Sequence, residues 1–434
     1  MKLNVKRTAL VGLAFLSISS FWGLYDFTVP LILRNTYQLG DTLAGVVMAM
    51  DNIVALVLLP LFGALSDKCT HRLGRRMPFI LFGTFAAAAL ALLTPVVVRH
   101  GSLGMFLAVL ALLLLAMGTY RSPAVALMPD VTPRPLRSKA NAIINLMGAI
   151  GSAFSLLLVN FAVVRTVDEL GVVHSDYTWM FVTVAAVMVI CALAVFLTIP
   201  ERRLAVEREA LEGREDMARA QEKKSAEPVR KLSGAEKKSL LLILASVSLW
   251  FMGYNAVTTA FSKYATHVWG VAESAAANCM LLGTVAAIIS YWPVGVVSSR
   301  IGRKKMILFG IALLALCFLT GAMMPQMSFV CYIMFALVGV GWASIGVNSF
   351  PMVVELASGA DVGKYTGLYY TFSMSAQVLT PVISGALLEH AGYWTLFPYA
   401  LAMMLCAFIT MSQVRHGDSK PEAKKGLDAL DVED

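Results

Sequence analysis

The chain has 434 residues, of which 58% are hydrophobic and only 14% charged, and its mean hydropathy is +0.73. A soluble domain carries about 25% charged residues, so this chain lacks the polar groups to cover a surface in water and its solvent is lipid. Lysine and arginine outnumber aspartate and glutamate 35 to 27, a basic balance that in a soluble protein would suggest nucleic acid. The placement of the charges gives a different reason. The six cysteines, at 69, 191, 279, 317, 331 and 406, form no C-x-x-C pair and sit mostly inside apolar runs. They read as small hydrophobes, with neither a disulfide framework nor a metal site expected.

A helix needs about 20 apolar residues to cross the hydrocarbon core. In chain order that length predicts membrane helices over 8–33, 42–66, 78–98, 103–128, 139–164 and 178–199. The first stretch is longer than the roughly 7–15 residues of a signal-peptide core and has no clear A-x-A cleavage site, so it reads as a retained span. Next comes a charged stretch, Pro200 to Lys238, in which Glu and Arg alternate and Glu215 precedes Arg219 by four residues. That pattern predicts a solvated or membrane-surface helix whose role is to tether two halves. Six further spans follow, over 239–262, 272–297, 306–324, 328–353, 364–388 and 392–414. The expected organisation is an N-terminal six-helix bundle (1–199), a cytoplasmic linker (200–238), a C-terminal six-helix bundle (239–414) and a disordered cytoplasmic tail (415–434). The fold class is an all-α integral membrane protein of twelve transmembrane helices in a 6+6 pseudo-symmetric arrangement.

Basic residues set the orientation. With both termini cytoplasmic, the inside segments hold 30 lysines and arginines, and the outside loops hold four, Arg34, Arg99, Arg165 and Lys263. The positive charge is therefore a topology signal, and no nucleic-acid partner is expected. A multi-pass protein of the cell membrane, in contact with the lipid bilayer and acting as a monomer, fits this pattern.

The halves repeat. "LYDFTV" (24–29) matches "GYNAVT" (253–258), setting Tyr25 and Asp26 against Tyr254 and Asn255. Asp130 precedes Lys139 by nine residues, as Glu355 precedes Lys364. A basic loop, "GALSDKCTHRLGRRMPFI" (63–80), has a shorter copy in "SSRIGRKKMILFG" (298–310), with serines where the first copy has Asp67. Parallel six-helix repeats are one construction of transporters, with substrate held near the midplane.

The six-plus-six plan, with G-x-x-x-D-K and then R-x-G-R-R in the loop between helices two and three, resembles the major facilitator superfamily. The longer spelling "SDKCTHRLGRRMPFI" and the stretch "YRSPAVALMPD…SKANAIINLMGAIGS" (120–152) resemble the glycoside–pentoside–hexuronide cation symporters and plant-type sucrose transporters. The resemblance implies a gating motif of Gly63, Asp67, Arg72, Gly74, Arg75 and Arg76. In it Asp67 faces the N-terminus of helix eleven in the outward-open state, where the helix dipole favours negative charge. Gly63 would let helices two and eleven approach. The plant carriers also have an acid deep in helix four, eleven residues before the arginine that aligns with Arg121. Here that position is Leu110.

Ionisable side chains inside spans are expensive and mark function by default. Asp26 lies roughly 9 Å outward of the middle of helix one, and Asp51 roughly 4–5 Å outward of the middle of helix two. Either suits a coupling proton, or sodium with the help of Asn52, and a structural hydrogen-bonding role is the plainer reading of each. Arg121 suits sugar hydroxyls, an acid, or snorkelling to the interface. Asn141, Asn145, Gly148 and Ser152 follow one helical face, either a cavity wall or a packing seam. Tyr370, Ser373 and Gln377 do the same on helix eleven. Trp22, Tyr25, Trp250, Tyr254 and Trp342 lie on helices one, seven and ten, which line the central cavity in the superfamily. Rings stack on the apolar faces of sugars, while Asn255, Gln377 and acids suit the hydroxyls, and core packing is the plain alternative for each ring.

The expected activity is cation-coupled symport of a sugar, a disaccharide or other glycoside, driven by protons, with sodium as the other candidate ion. A drug/proton antiporter and a non-transporting sugar sensor are the alternatives. No nucleophile–base pair, H-E-x-x-H or glycine-rich phosphate loop is visible, so neither an enzyme nor a cofactor is expected.

Overall fold

The computed structural model describes residues 3–133, 136–167, 173–208, 210, 233–356 and 362–417. Among them are twelve helices long and apolar enough to cross a bilayer. The first six are α1 (Val5–Asn35), α2 (Asp41–Asp67), α3 (Met77–His100), α4 (Leu103–Val131), α5 (Arg137–Ala162) and α6 (Thr178–Thr198). The second six are α7 (Gly234–Val268), α8 (Glu273–Ile301), α9 (Arg303–Met323), α10 (Phe329–Glu355), α11 (Val362–His390) and α12 (Leu396–Ser412), the last entered through a 3-10 turn at Tyr393–Thr395. Each contains or closely overlaps the span expected from the sequence. Most of the charged linker, with Glu215 and Arg219, lies outside the described residues, as do Arg134 and residues 418–434; residues 201–208 are helical.

The helix starts are chemically specified. Asn4 Oδ1 accepts from the Arg7 N–H at 3.0 Å to start α1, and Ser233 with Glu236 forms a capping box at α7. Such caps satisfy backbone donors that the helix itself leaves unpaired. One segment departs from the all-helical expectation. The loop between α5 and α6 holds a two-stranded antiparallel hairpin, β1 (Val164–Val167) and β2 (Val173–Asp176), with Val164 opposite Asp176. Four-residue strands are too short to stand out from a loop by periodicity. Arg99 at the end of α3 ties the hairpin down by donating to Asp176 and to Thr178 Oγ1 at 2.9 Å.

The chain divides into two compact units, Met1–Tyr37 with Ile53–Ser225, and Gln38–Asn52 with Ala226–Asp434. The first half of α2 thus groups with the second unit. Four helix pairings repeat in the two units. In the first, α1 packs on α5, α3 on α4, and α6 on both α1 and α3; in the second, α7 packs on α11, α9 on α10, and α12 on both α7 and α9.

Lipid offers no hydrophobic drive for helices to associate, so small residues and close backbone approach take over. The α1–α5 contact shows this. A Cβ at Gly151 would lie 2.3 Å from the Leu16 carbonyl oxygen, Ser20 Oγ donates to the Gly151 carbonyl at 3.2 Å, and Ser155 Oγ donates back to the Ser20 carbonyl at 2.5 Å. The α8–α10 contact in the second unit relies on Gly339, where a Cβ would meet the Gly283 carbonyl at 2.0 Å.

Candidate functional site

The basic loop of the first unit is organised around one buried arginine. Arg76, with its side chain 6% exposed, binds Asp67, donates through Nε to Asp130 Oδ2 at 2.7 Å, and donates through Nη1 to Ser66 Oγ. Burial pulls the guanidinium pKa down, but the hydrogen bonds and charges of Asp130 and then Asp67 outweigh it, so the net shift is upward. The loop backbone is held by Glu201, which is 3% exposed. Its carboxylate accepts the N–H groups of Arg75 at 2.7 Å, Arg76 at 2.9 Å and Met77 at 2.9 Å. A carboxylate over the first N–H groups of α3 satisfies unpaired donors and complements the helix dipole. Gly74 permits the arrangement: its φ is +120°, and a Cβ there would lie 2.3 Å from Glu201 Oε2. Of the expected motif residues, Asp67, Gly74 and Arg76 meet in this network, whereas the side chains of Arg72 and Arg75 are exposed. Gly63 contributes its carbonyl, which accepts from Ser66 Oγ at 2.8 Å, and a Cβ at its position would meet Ser122 Oγ of α4 at 2.9 Å.

The second unit ties the equivalent helices with different residues. Arg303 binds Glu355, repeating the pairing of the loop cation with the acid at the end of the fourth helix of its half. Lys304 then donates to the carbonyls of Ser412 at 2.8 Å and Val414 at 2.6 Å, closing the C-terminal end of α12. In the first unit an anion beyond α6 caps the start of α3; in the second a cation at the start of α9 caps the end of α12.

The expected substrate residues form two sets, one in each unit. In the first, the Arg121 guanidinium lies 5.4 Å from the centroid of the Trp22 ring, within cation–π range, and Trp22 meets Tyr25 edge-on at 5.4 Å. Tyr25 is 1% exposed, while Trp22, Asp26 and Arg121 are half-buried. Asn141 and Asn145 are half-buried on α5. The lower part of their stripe belongs to the α1–α5 seam, since a Cβ at Gly148 would meet Ser19 Oγ at 3.1 Å and Ser152 backs onto Gly23. Leu110 is buried at 3% exposure and serves as core.

In the second unit Tyr254 and Trp342 stack face to face, centroids 3.8 Å apart and planes 10° off parallel, with Phe251 edge-on to Trp342 at 5.3 Å. Asn255 follows Tyr254 on α7, and its Nδ2 is buried without a hydrogen-bond partner. Gln377 is half-buried and reaches the Ser373 carbonyl at 3.5 Å. Trp250 is 0% exposed and stands in the core of its bundle. Asp51, half-buried, accepts through Oδ1 from the Asn52 backbone N–H at 2.6 Å and the Asn52 amide at 2.7 Å.

Sequence reasoning missed a buried ion pair. Lys263, counted among the outer-loop cations, lies within α7 and donates to Asp41 Oδ1 at 2.8 Å, the two side chains being 6% and 2% exposed. Glu389 sits beside them, accepting the Thr42 N–H at 2.7 Å. Asp41 and Lys263 fall near the ends of their spans, where charge excites no suspicion in a sequence. Glu201 was similarly hidden in the charge-rich linker, whereas the matched spacings of Asp130 and Glu355 marked the repeat of the halves without indicating their arginine partners.

Twelve membrane-crossing helices among the described residues, helix pairings repeated in two units and a charged loop network are the features of a membrane transporter. The chain belongs to the Major Facilitator Superfamily, whose profile matches residues 11–292 and 243–431. Over 119 residues it is 34% identical to the sucrose transport protein SUC3 of Arabidopsis thaliana, a match covering 23% of this chain and 20% of that protein. Over 141 residues it is 27% identical to the chloramphenicol resistance protein CraA of Acinetobacter baumannii, covering 32% of this chain and 34% of that protein. The matches thus span about a fifth and a third of those relatives. Among solved structures, a point mutant of the nucleoside transporter NupG aligns with a TM-score of 0.68 at 15% identity, over 95% of this chain and 100% of that one. A bacterial homolog of the human lysosomal transporter Spinster, inward-facing and occupied, aligns with a TM-score of 0.66 at 14% identity, over 95% and 97%.

Proposed function

We propose that this carrier is a cation-coupled symporter of a sugar, a disaccharide or other glycoside, driven by protons across the cell membrane, with both termini cytoplasmic. The observation that carries the reading is the sequence from 60 to 152, spelled like the sugar symporters, together with the match to a plant sucrose transport protein. Two aromatic sets suit a saccharide: Trp22 and Tyr25 beside Arg121, and the Tyr254–Trp342 stack beside Asn255. Asp51 carries the coupling proton, assisted by Asp26. Asp67 serves as the latch that favours one state of the transport cycle, and Arg76 holds it in place. Sugar exchange then persists without proton release, while accumulation requires it.

A drug/proton antiporter is the second reading, favoured by the similarity to a chloramphenicol resistance protein. Counterflow in proteoliposomes, with a panel of labelled mono- and disaccharides and with chloramphenicol, separates the two. Sugar counterflow with sugar-induced proton uptake supports symport. Chloramphenicol efflux driven by an inward proton gradient, with no sugar counterflow, overturns it. Saturable sugar binding without counterflow would indicate a sensor.

A further inference from the structure

Two cysteines far apart in the chain meet inside the second unit. Cys279, on the second turn of α8, donates through Sγ to the Sγ of Cys331, on the first turn of α10, at 3.7 Å. Both residues are 0% exposed, and both thiols are free. The contact belongs to a seam in tight register. A Cβ at Gly283, one turn on from Cys279, would lie 3.0 Å from the carbonyl oxygen of Phe335, one turn on from Cys331. A further turn along, a Cβ at Gly339 would meet the Gly283 carbonyl oxygen at 2.0 Å and the Ala287 nitrogen at 2.9 Å. Residues one turn apart share a helix face, so α8 and α10 run side by side from the cysteine pair onward, at a separation that small residues permit. The transport reading uses neither sulfur, and a spacing of 52 residues forms no motif in the sequence.

Sulfurs already in contact can bond once two hydrogens are removed. We propose that Cys279 and Cys331 form an oxidisable dithiol, a modification site at which hydrogen peroxide closes a disulfide between α8 and α10. One sulfur attacks the peroxide O–O bond, giving a sulfenic acid and, with the thiol proton, one water. The second sulfur then displaces hydroxide from the sulfenic sulfur, and its own proton completes the second water. Two thiols are oxidised, one peroxide is reduced and nothing else is consumed. Burial slows the first step, because the oxidant has to reach the sulfur. It leaves the second step fast, since the partner is in place and the reaction is intramolecular. Peroxide is small and uncharged, which suits entry beside the first turn of α10, where Phe329 is 76% and Val330 48% exposed. The bond would enclose all of α9 in a covalent loop and so restrict the unfolded chain. It would also fasten two helices that lipid gives little drive to associate.

The test exposes the full-length carrier in mild detergent to hydrogen peroxide, with oxidation of the partly exposed Cys69 as the clock. After quenching, the protein is unfolded in dodecyl sulfate with N-ethylmaleimide, digested and mapped by mass spectrometry. The expected product is a peptide pair joined through Cys279 and Cys331, lighter by two hydrogens and separated by dithiothreitol. Cys191 and Cys317, buried on other helices, should stay alkylated. The thermal midpoint should rise on oxidation and return on reduction. Cys331→Ala should lose both the joined peptides and the rise, while Cys317→Ala should keep both. Full alkylation of Cys279 and Cys331 at a dose well past complete oxidation of Cys69 would overturn the site. Joining of either one to Cys191, Cys317 or Cys406 as often as to the other would mark scrambling and overturn it too. A midpoint that stays level in the joined protein, or rises equally in Cys331→Ala, would overturn the stabilising link. The joined peptides are read on wild type, so a variant that fails to fold still leaves the site decided.

Discussion

Replacing Lys263 by methionine isolates the energetics of the buried pair. The substitution keeps an unbranched apolar stem in α7 and removes only the cation that stands 2.8 Å from Asp41. Asp41, 2% exposed, then loses its lysine partner in the interior. Breaking a buried pair from one side costs about 3–5 kcal/mol. Removing both charges is different: a well-packed apolar pair is neutral or stabilising by roughly 1–4 kcal/mol. Lys263→Met should therefore lose about 4 kcal/mol, and Asp41→Leu/Lys263→Met should recover most or all of it. The assay is unfolding in mixed micelles by titration with a denaturing detergent at pH 7, for both singles, the double and the wild type. If Lys263→Met lost less than about 1 kcal/mol, or the double lost the sum of the singles, the ion-pair account would be refuted.

Glu201→Ala, which strips three N–H groups of α3 of their acceptor, should cost about 2–4 kcal/mol by the same titration, with Glu201→Gln milder; an unchanged midpoint would remove Glu201 as the cap. Asp51→Asn should abolish gradient-driven sugar accumulation and keep sugar–sugar exchange, and full accumulation by the variant would dismiss Asp51 as the proton carrier. Cys69, a free thiol that is partly exposed, should react with impermeant thiol reagents in inside-out vesicles and stay unlabelled in intact cells. For Asp176, burial pushes the carboxyl pKa up, but the hydrogen bonds from Thr178 and then Arg99 outweigh it and leave it lowered. Its contribution is then present above the ordinary carboxylate pKa of about 3.9 and lost as pH falls through the lower folded value. The protection factors of the hairpin amides, exchange rates corrected for the intrinsic rate at each pH, should fall in that acid window and stay level between about pH 5 and 8.

The fold was legible because bilayer thickness imposes one length on every span, and hydropathy reports that length directly. The hairpin at 164–176 was not, since no such constraint acts on a loop. The site divides along similar lines. Tyr254 and Trp342 stand out as rings within spans, but only coordinates show that they stack on each other. The stripe on α5 obeys helical periodicity whether it lines a cavity or packs, and Gly148 and Ser152 turned out to face α1. Trp250 carries the same sequence signal as Trp342 but is fully enclosed, because periodicity gives a face without saying what covers it. Glu201 and Lys263 were invisible for another reason. Their chemistry comes from partners more than a hundred residues away, Arg75 to Met77 and Asp41.

The paired ties at Glu201 and Lys304 bear on what a duplicated gene can keep. Both halves fasten their third helix to their sixth at the same end, yet one uses a carboxylate on backbone N–H groups and the other an ammonium on carbonyls. Donor and acceptor have traded places while the joint stayed where it was. A carrier assembled from two copies of one half would inherit one polarity twice, and a motif written from either half would overlook the other. The quantity common to the repeats is a mechanical fixture, and the residue that supplies it is a local choice.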